Sequence, residues 1–166
     1  DAANGAGSSD LINSTEGVLY AEIAALANDG SNRIITLSNG SYDNSVRIQF
    51  YSNTNEIEMR IVVQGVIQAI QRVAIANTLL FNKMAVKYKE NDFQLWVNGS
   101  VLRFDTSGTV PASGTLSELS FDDGNGDGDF YGKVKTVAVF KEALTNDELE
   151  CLTGEGYDSF NALALA

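Results

Sequence analysis

Histidine is absent from this sequence, and cysteine, proline and tryptophan occur once each, as Cys151, Pro111 and Trp96. Without imidazole, Ser-His-Asp and Cys-His catalysis, His-based zinc sites and a protonation switch near neutrality are excluded. A lone thiol excludes an internal disulfide and a multi-cysteine metal site. Cations are scarce as well: 11 Lys and Arg stand against 22 Asp and Glu, a net charge of −11. Such a surface repels phosphate backbones and anionic lipid, so neither nucleic acid nor a membrane is an expected partner. It suits divalent cations and neutral ligands. No apolar run approaches the ~20 residues of a membrane-spanning helix. The chain opens on Asp1 without an initiating Met and ends abruptly, and both ends are read as those of a piece of a longer or processed protein.

What is present points to one domain. The 166 residues are 44% apolar, enough to bury a core. Residues 1–14 are small and polar and predict a flexible lead-in. From Glu16 to Phe140, short alternating runs are punctuated by Asn, Gly, Asp and Ser, the pattern of an antiparallel sandwich or barrel. No internal repeat is found.

Three hairpins can be registered because one face of each must stay apolar. Val46, Ile48 and Phe50 oppose Ile57, Met59, Ile61 and Val63. A two-residue Asn53–Thr54 turn would set Arg47 opposite Arg60, a like-charge pair that costs stability. The loop Asn53–Glu56 avoids it, sets Tyr51 opposite Glu58 and is preferred. In the second hairpin Met84, Val86 and Tyr88 face Phe93, Leu95 and Val97 across Glu90–Asn91, with Lys89 opposite Asp92. The third turns at Asn98-Gly99, where both residues tolerate positive φ, and sets Leu95 opposite Leu102 and Phe93 opposite Phe104. Near the end, Thr145 and Glu148 form a capping box, Leu144 and Leu149 a hydrophobic staple, and Gly154 suits the C-terminal position. A short helix follows. Residues 154–166 are a tail whose Tyr157–Ala166 segment is apolar enough to begin another helix or to dock on a neighbour.

Three stretches carry a family likeness: GVLYAEIAAL (17–26), FNKMAVKYKENDFQLWVNGS (81–100) and FYGKVKTVAVFKEALTNDELECLT (130–153). Their order, the Trp96-Val97-Asn98-Gly99 turn and the Leu144-Thr145-x-x-Glu148-Leu149 helix start resemble the laminin-G-like, pentraxin-like branch of the concanavalin A-like lectins over residues 15–153. The wording is similar to copies in phage tail and other virion proteins. The resemblance implies an all-β, two-sheet antiparallel jelly-roll sandwich with one short C-terminal helix. It also implies glycan binding on a concave sheet or loop rim, with calcium common among relatives.

Four places are candidates for function. In the register above Trp96 points away from the core between Ala85 and Val101, leaving an indole face on which sugar C–H groups could stack. The alternative is burial on the second face of its sheet. Asp123, Asn125, Asp127 and Asp129, interleaved with glycine, match the first half of a calcium loop, although position 12 is Val134 and the flanks read as strands. The same residues also suit a plain turn. Tyr131, after that loop, could line a sugar site with Asp127 and Asp129, or anchor the loop in the core. Arg47, Gln49, Tyr51, Glu58 and Arg60 share the polar face of the first hairpin; Tyr51 and Arg60 are sugar-binding candidates if that face is concave, and otherwise it is simply solvated.

Catalysis is not expected. Laminarinase-like relatives carry Glu-x-Asp-x-x-Glu, and the nearest string here, Glu56-Ile57-Glu58, lacks the Asp and the distal Glu. The leading expectation is a non-enzymatic carbohydrate-binding or adhesion domain of a larger extracellular or virion protein, recognising a cell-surface glycan, with calcium as a candidate cofactor. The alternative is a structural or homo-oligomerising domain of a phage tail or capsid protein.

Overall fold

The alternating runs form strands whose apolar faces meet. The computed structural model describes residues 10–154. Its elements are β1 (Glu16–Ala25), β2 (Arg33–Ser38), β3 (Ser45–Phe50), β4 (Glu56–Val63), β5 (Val66–Ala74), β6 (Asn82–Lys89), β7 (Phe93–Val97), β8 (Ser100–Asp105), β9 (Glu118–Ser120), β10 (Gly132–Phe140) and α1 (Asn146–Thr153). The strands pair antiparallel into two five-stranded sheets, ordered β10-β1-β6-β7-β8 and β5-β4-β3-β2-β9. This is the expected jelly-roll sandwich with one short C-terminal helix. One buried cluster fills the space between the sheets, with Leu19, Ile23, Leu37, Ile48, Met59, Val86 and Leu95 among its members. Each such side chain contributes about 1.5–3 kcal/mol by leaving water.

The second hairpin has the expected register, with Met84 opposite Val97 and Val86 opposite Leu95. Lys89 accepts the Asp92 amide at 2.9 Å across the turn. The third begins as expected: Asn98 and Gly99 take left-handed backbone (φ 49° and 81°) and Trp96 pairs with Val101. A bulge between Leu95 and Trp96 then shifts the pairing by one residue, setting Arg103 opposite Leu95 and Phe104 opposite Gln94. Phe104 therefore turns outward and is 68% exposed instead of joining the core. β8 is an edge strand with a single neighbour, and a bulge there disturbs only one ladder.

The helix forms as its cap predicts. Thr145 Oγ1 accepts the Glu148 amide (3.3 Å), and the Thr145 amide donates to Glu148 Oε2 (2.7 Å). Gly154 ends it in extended backbone (φ −71°) and not in the left-handed form. Leu149 and Leu152 pack on the outer face of the first sheet, forming a second cluster with Val18, Tyr20, Ala85 and Trp96, against which Leu144 also packs. Here the structure corrects an expectation: Trp96 is 4% exposed beneath α1, and its indole N–H donates to Gln94 Oε1 at 2.7 Å. The small neighbours Ala85 and Val18 leave room for the indole, and the helix fills what remains above it.

Residues 12–14, read from the sequence as part of the lead-in, pack against the sandwich. Ile12 and Ser14 are buried, Ser14 Oγ accepts the Leu116 amide (2.9 Å), and the Tyr88 hydroxyl donates to the Asn13 carbonyl (2.6 Å). Burial pushes the Tyr88 phenol up, well above its ordinary range. The tail Tyr157–Ala166 lies outside the described residues.

Two substitutions test this packing. Trp96→Ala is expected to lower unfolding free energy by about 3–5 kcal/mol, because the cavity lies between sheet and helix. Thr145→Ala should lower it by about 1 kcal/mol through loss of the cap. Denaturant titration followed by circular dichroism reads both, and a Trp96→Ala effect below about 1 kcal/mol would contradict the burial.

Candidate functional site

The outer face of the second sheet is polar by alternation and yet buried. Across its strands, Ser120, Thr36, Arg47 and Arg60 stand directly opposite one another in one row. The next row carries Ile34, Gln49, Glu58 and Arg72. Thr36, Ser38, Ser45, Arg47, Gln49, Glu58 and Ser120 are all shielded from solvent.

Two loops shield them. Residues 39–44 connect β2 to β3, and residues 121–131 connect β9 to β10. Thr36 Oγ1 donates to the Asp122 carbonyl (2.7 Å), and the Ser45 hydroxyl to the Tyr42 carbonyl (3.1 Å). The Tyr42 amide donates to Asn125 Oδ1 (3.1 Å), joining the two loops. Gly124 allows their close approach: its φ is 91°, and a Cβ there would lie 3.1 Å from Ser38 Oγ and 3.2 Å from the Ser41 carbonyl oxygen.

The register of this hairpin differs from the expected one. Arg47 stands opposite Arg60, Gln49 opposite Glu58 and Phe50 opposite Ile57. The Tyr51 amide donates to the Glu56 carbonyl (2.9 Å), so the chain turns over 52–55, with Asn55 in left-handed backbone. The like-charge pair is accommodated by its surroundings. Glu58, fully buried, accepts from Arg60 at 2.8 Å and also from Arg72. Arg60 Nη1 donates to the Tyr42 hydroxyl (3.1 Å). The Arg47 guanidinium lies 4.1 Å from the centre of the Tyr42 ring, a cation–π contact.

Together these residues line an open cleft of about 300 Å³, walled by Ile34, Tyr42, Arg47, Gln49, Tyr51 and Arg60, with Asn32, Asp123, Asp127 and Gly128 on its rim. Among the described residues two buried side-chain atoms lack a hydrogen-bond partner: Arg47 Nη2 and Ser120 Oγ. Both belong to the same row, on either side of Thr36. Arg47 is 2% exposed, and its Nε reaches only Ser45 Oγ, at 3.2 Å. Burial draws its pKa below the ordinary arginine value, with Tyr42 and Asp123 opposing that shift. It remains a cation at neutral pH. A buried cationic N–H without an acceptor is costly, and a carboxylate offered to it gains a charge-assisted hydrogen bond.

The sequence candidates fall in different places. Tyr51 and Arg60 are both at the cleft, although one face of the Tyr51 ring is covered by Arg72, 4.0 Å from its centre. Trp96 belongs to the other sheet, under α1. Around Asp123, Asn125, Asp127 and Asp129, as elsewhere among the described residues, no three His, Cys, Asp or Glu side chains gather to hold an ion. Asp123 Oδ1 accepts the amides of Asn125 (2.9 Å) and Asp127 (3.2 Å), Asn125 holds Tyr42, and Asp129 accepts the Tyr131 hydroxyl (3.1 Å). The spacing thus builds an Asx-type turn. Tyr131 is 65% exposed on the far side of that loop, beside a separate hollow lined by Phe121, Asp129 and Phe130. Tyr42, in the loop before β3, is not among the sequence candidates, and Arg47 is there only as a member of a polar face; the Arg47–Arg60 like-charge pair is the sequence feature that points to both.

No protein-family model matches the sequence, and no curated protein is significantly similar to it. Solved structures are similar in fold. The carbohydrate-binding module CBM40 of the Ruminococcus gnavus IT-sialidase superimposes with a TM-score of 0.68 at 18% identity, over 86% of this chain and 84% of that one. It has been solved bound to alpha2,3 and to alpha2,6 sialyllactose. A SAP-like pentraxin from Limulus polyphemus gives 0.60 at 11% identity, over 87% and 72%. Domains LG4-5 of the mouse laminin alpha1 chain give 0.55 at 12%, over 80% and 37%. The chain therefore has the laminin-G-like jelly-roll fold that this carbohydrate-binding module, this pentraxin and these laminin domains share.

Proposed function

We propose that this chain is a non-enzymatic glycan-binding domain, and that its ligand is a carboxylated sugar of the sialic acid type held in the Arg47–Arg60 cleft. The observation that carries this reading is that Arg47 and Arg60, opposite each other on neighbouring strands, both line one cleft, and that the buried Nη2 of Arg47 has no acceptor within the described residues. The sialyllactose-bound CBM40 module, similar in fold, supports the same ligand class. A carboxylate would pair with the guanidiniums, Gln49 and the Asp127 carboxylate would bond to sugar hydroxyls, and Tyr51 and Ile34 would provide apolar contact. Glu58 is engaged by two arginines and serves the site by orienting them, not as an acid or base. The net charge of −11 opposes long-range attraction of an acidic sugar, so recognition in this reading rests on the short-range pairing with Arg47 and Arg60. Single-site affinity would be weak and raised by multivalent display on an extracellular or virion surface.

Titration of the 15N-labelled chain with 3′-sialyllactose, 6′-sialyllactose and lactose tests the reading. The sialylated sugars are expected to perturb β3, β4 and residues 42 and 123–128, and lactose to bind far more weakly. Binding should persist in EDTA; loss on chelation would instead return calcium to the Asp123–Asp129 loop. A folded protein that binds no carboxylated sugar would sink the reading. Arg47→Met should abolish sialyllactose binding and at the same time raise stability by about 1 kcal/mol, since it removes an unsatisfied buried cation. Abolished binding with unchanged spectra elsewhere separates this from unfolding.

A further inference from the structure

We infer that Tyr42 is the specificity-determining residue of the cleft: it holds Arg47 and Arg60 as a pair that one carboxylate can bridge, and so sets the preference for a carboxylated over a neutral sugar. The inference rests on the reading of the cleft as a glycan site. Two guanidiniums set opposite each other on neighbouring strands repel, and long side chains free to move would turn apart. One phenol constrains both. Its ring carries Arg47, 4.1 Å away, and its hydroxyl accepts from Arg60 Nη1 at 3.1 Å. Glu58 fixes the rest of Arg60, and Ser45 Oγ fixes Arg47 Nε.

Tyr42 is itself held from three sides. Its amide donates to Asn125 Oδ1 and its carbonyl accepts from Ser45 Oγ. Its neighbours Asp43 and Asn44 accept the Gly65 and Gln64 amides, at 2.9 and 3.1 Å. Residues 122–128 therefore act on the cleft through the Asn125–Tyr42 bond. A sugar hydroxyl can bond to either arginine alone, whereas a carboxylate has two oxygens and benefits when both cations are fixed at one spacing. Misplacing one arginine thus penalises the acid and spares the neutral sugar.

The test uses the full chain and two variants. Tyr42→Phe keeps the ring beneath Arg47 and removes the acceptor for Arg60; Tyr42→Leu removes both. In the ligand-free protein, NMR of the arginine Nη groups should show hindered rotation for Arg47 and Arg60 in the wild type, with both Nε–H groups held by Ser45 and Glu58 throughout. Only the Arg60 Nη1 group should rotate faster in Tyr42→Phe, and the Nη groups of both arginines in Tyr42→Leu. Sialyllactose affinity should fall about fivefold in Tyr42→Phe, the loss of one hydrogen bond, and further in Tyr42→Leu, and in both variants the preference for sialyllactose over lactose should drop. Wild-type sialyllactose affinity in both variants would overturn the inference and leave the glycan site standing. Equal loss for sialyllactose and lactose would also overturn it, as the mark of a merely structural residue. A wild-type chain that binds no sialyllactose would defeat the glycan reading and this inference with it.

Discussion

The pairing of β3 with β4 is the constraint on which the rest of this molecule depends. Val46, Ile48 and Phe50 must face Ile57, Met59 and Ile61 to close the core, and a shift of two residues would satisfy that demand equally well. The choice between the two registers is made on the other face. Placing Arg47 opposite Arg60 costs a few tenths of a kcal/mol to about 1 kcal/mol. Buried charge-assisted hydrogen bonds are each stronger, about 1.5–3 kcal/mol, and Glu58 makes them with Arg60 and with the more exposed Arg72. The turn supports the same choice. Asn55, in left-handed backbone, accepts the Thr78 amide through its side chain and the Ile75 amide through its carbonyl.

Both sheets of the sandwich are covered on their outer faces, by different means and with different results. The first is covered by α1, whose Leu149 and Leu152 seal Trp96 and Tyr20 in an apolar cluster. Burial there raises the Tyr20 phenol to about 12, and nothing in that cluster invites a polar ligand. The second is covered by loops 39–44 and 121–131, which supply backbone carbonyls and amides to Thr36, Ser45 and Ser38. That cover stops short at Arg47 and Ser120, which are buried and incompletely satisfied. Stability explains the first face fully. On the second, packing alone gives no account of the unpartnered Arg47 Nη2, a local conflict in an otherwise consistent structure and the one on which the proposed site rests.

Much of the architecture was legible because it rests on short-range rules. The Lys89–Asp92 hairpin, the Asn98-Gly99 turn and the Thr145–Glu148 box each follow from a few adjacent residues. Errors arose where distant contacts intervened. Counting from the turn places Phe104 inward, whereas a bulge on an edge strand turns it outward. Trp96 alternates outward from the core as expected, but a helix 50 residues later in the chain covers it, and alternation carries no information about such a cover. The Asp123–Asp129 spacing suits a cation loop and a turn equally, and in the structure Asp123 Oδ1 accepts the Asn125 and Asp127 amides.

By itself, then, the sequence determined the strand faces, most of the turns, the helix cap and the exclusion of imidazole chemistry, because each depends on residue type and spacing within a few positions. Tertiary structure decided where those faces go. It buried the one tryptophan, left Arg47 Nη2 without an acceptor, and brought Tyr42, Asn125 and Arg60 together from three segments of the chain. The reason is that an amphipathic strand specifies only that one side is apolar. Whether its polar side meets water, a helix or a loop depends on the length and path of the connections, which local patterning does not encode.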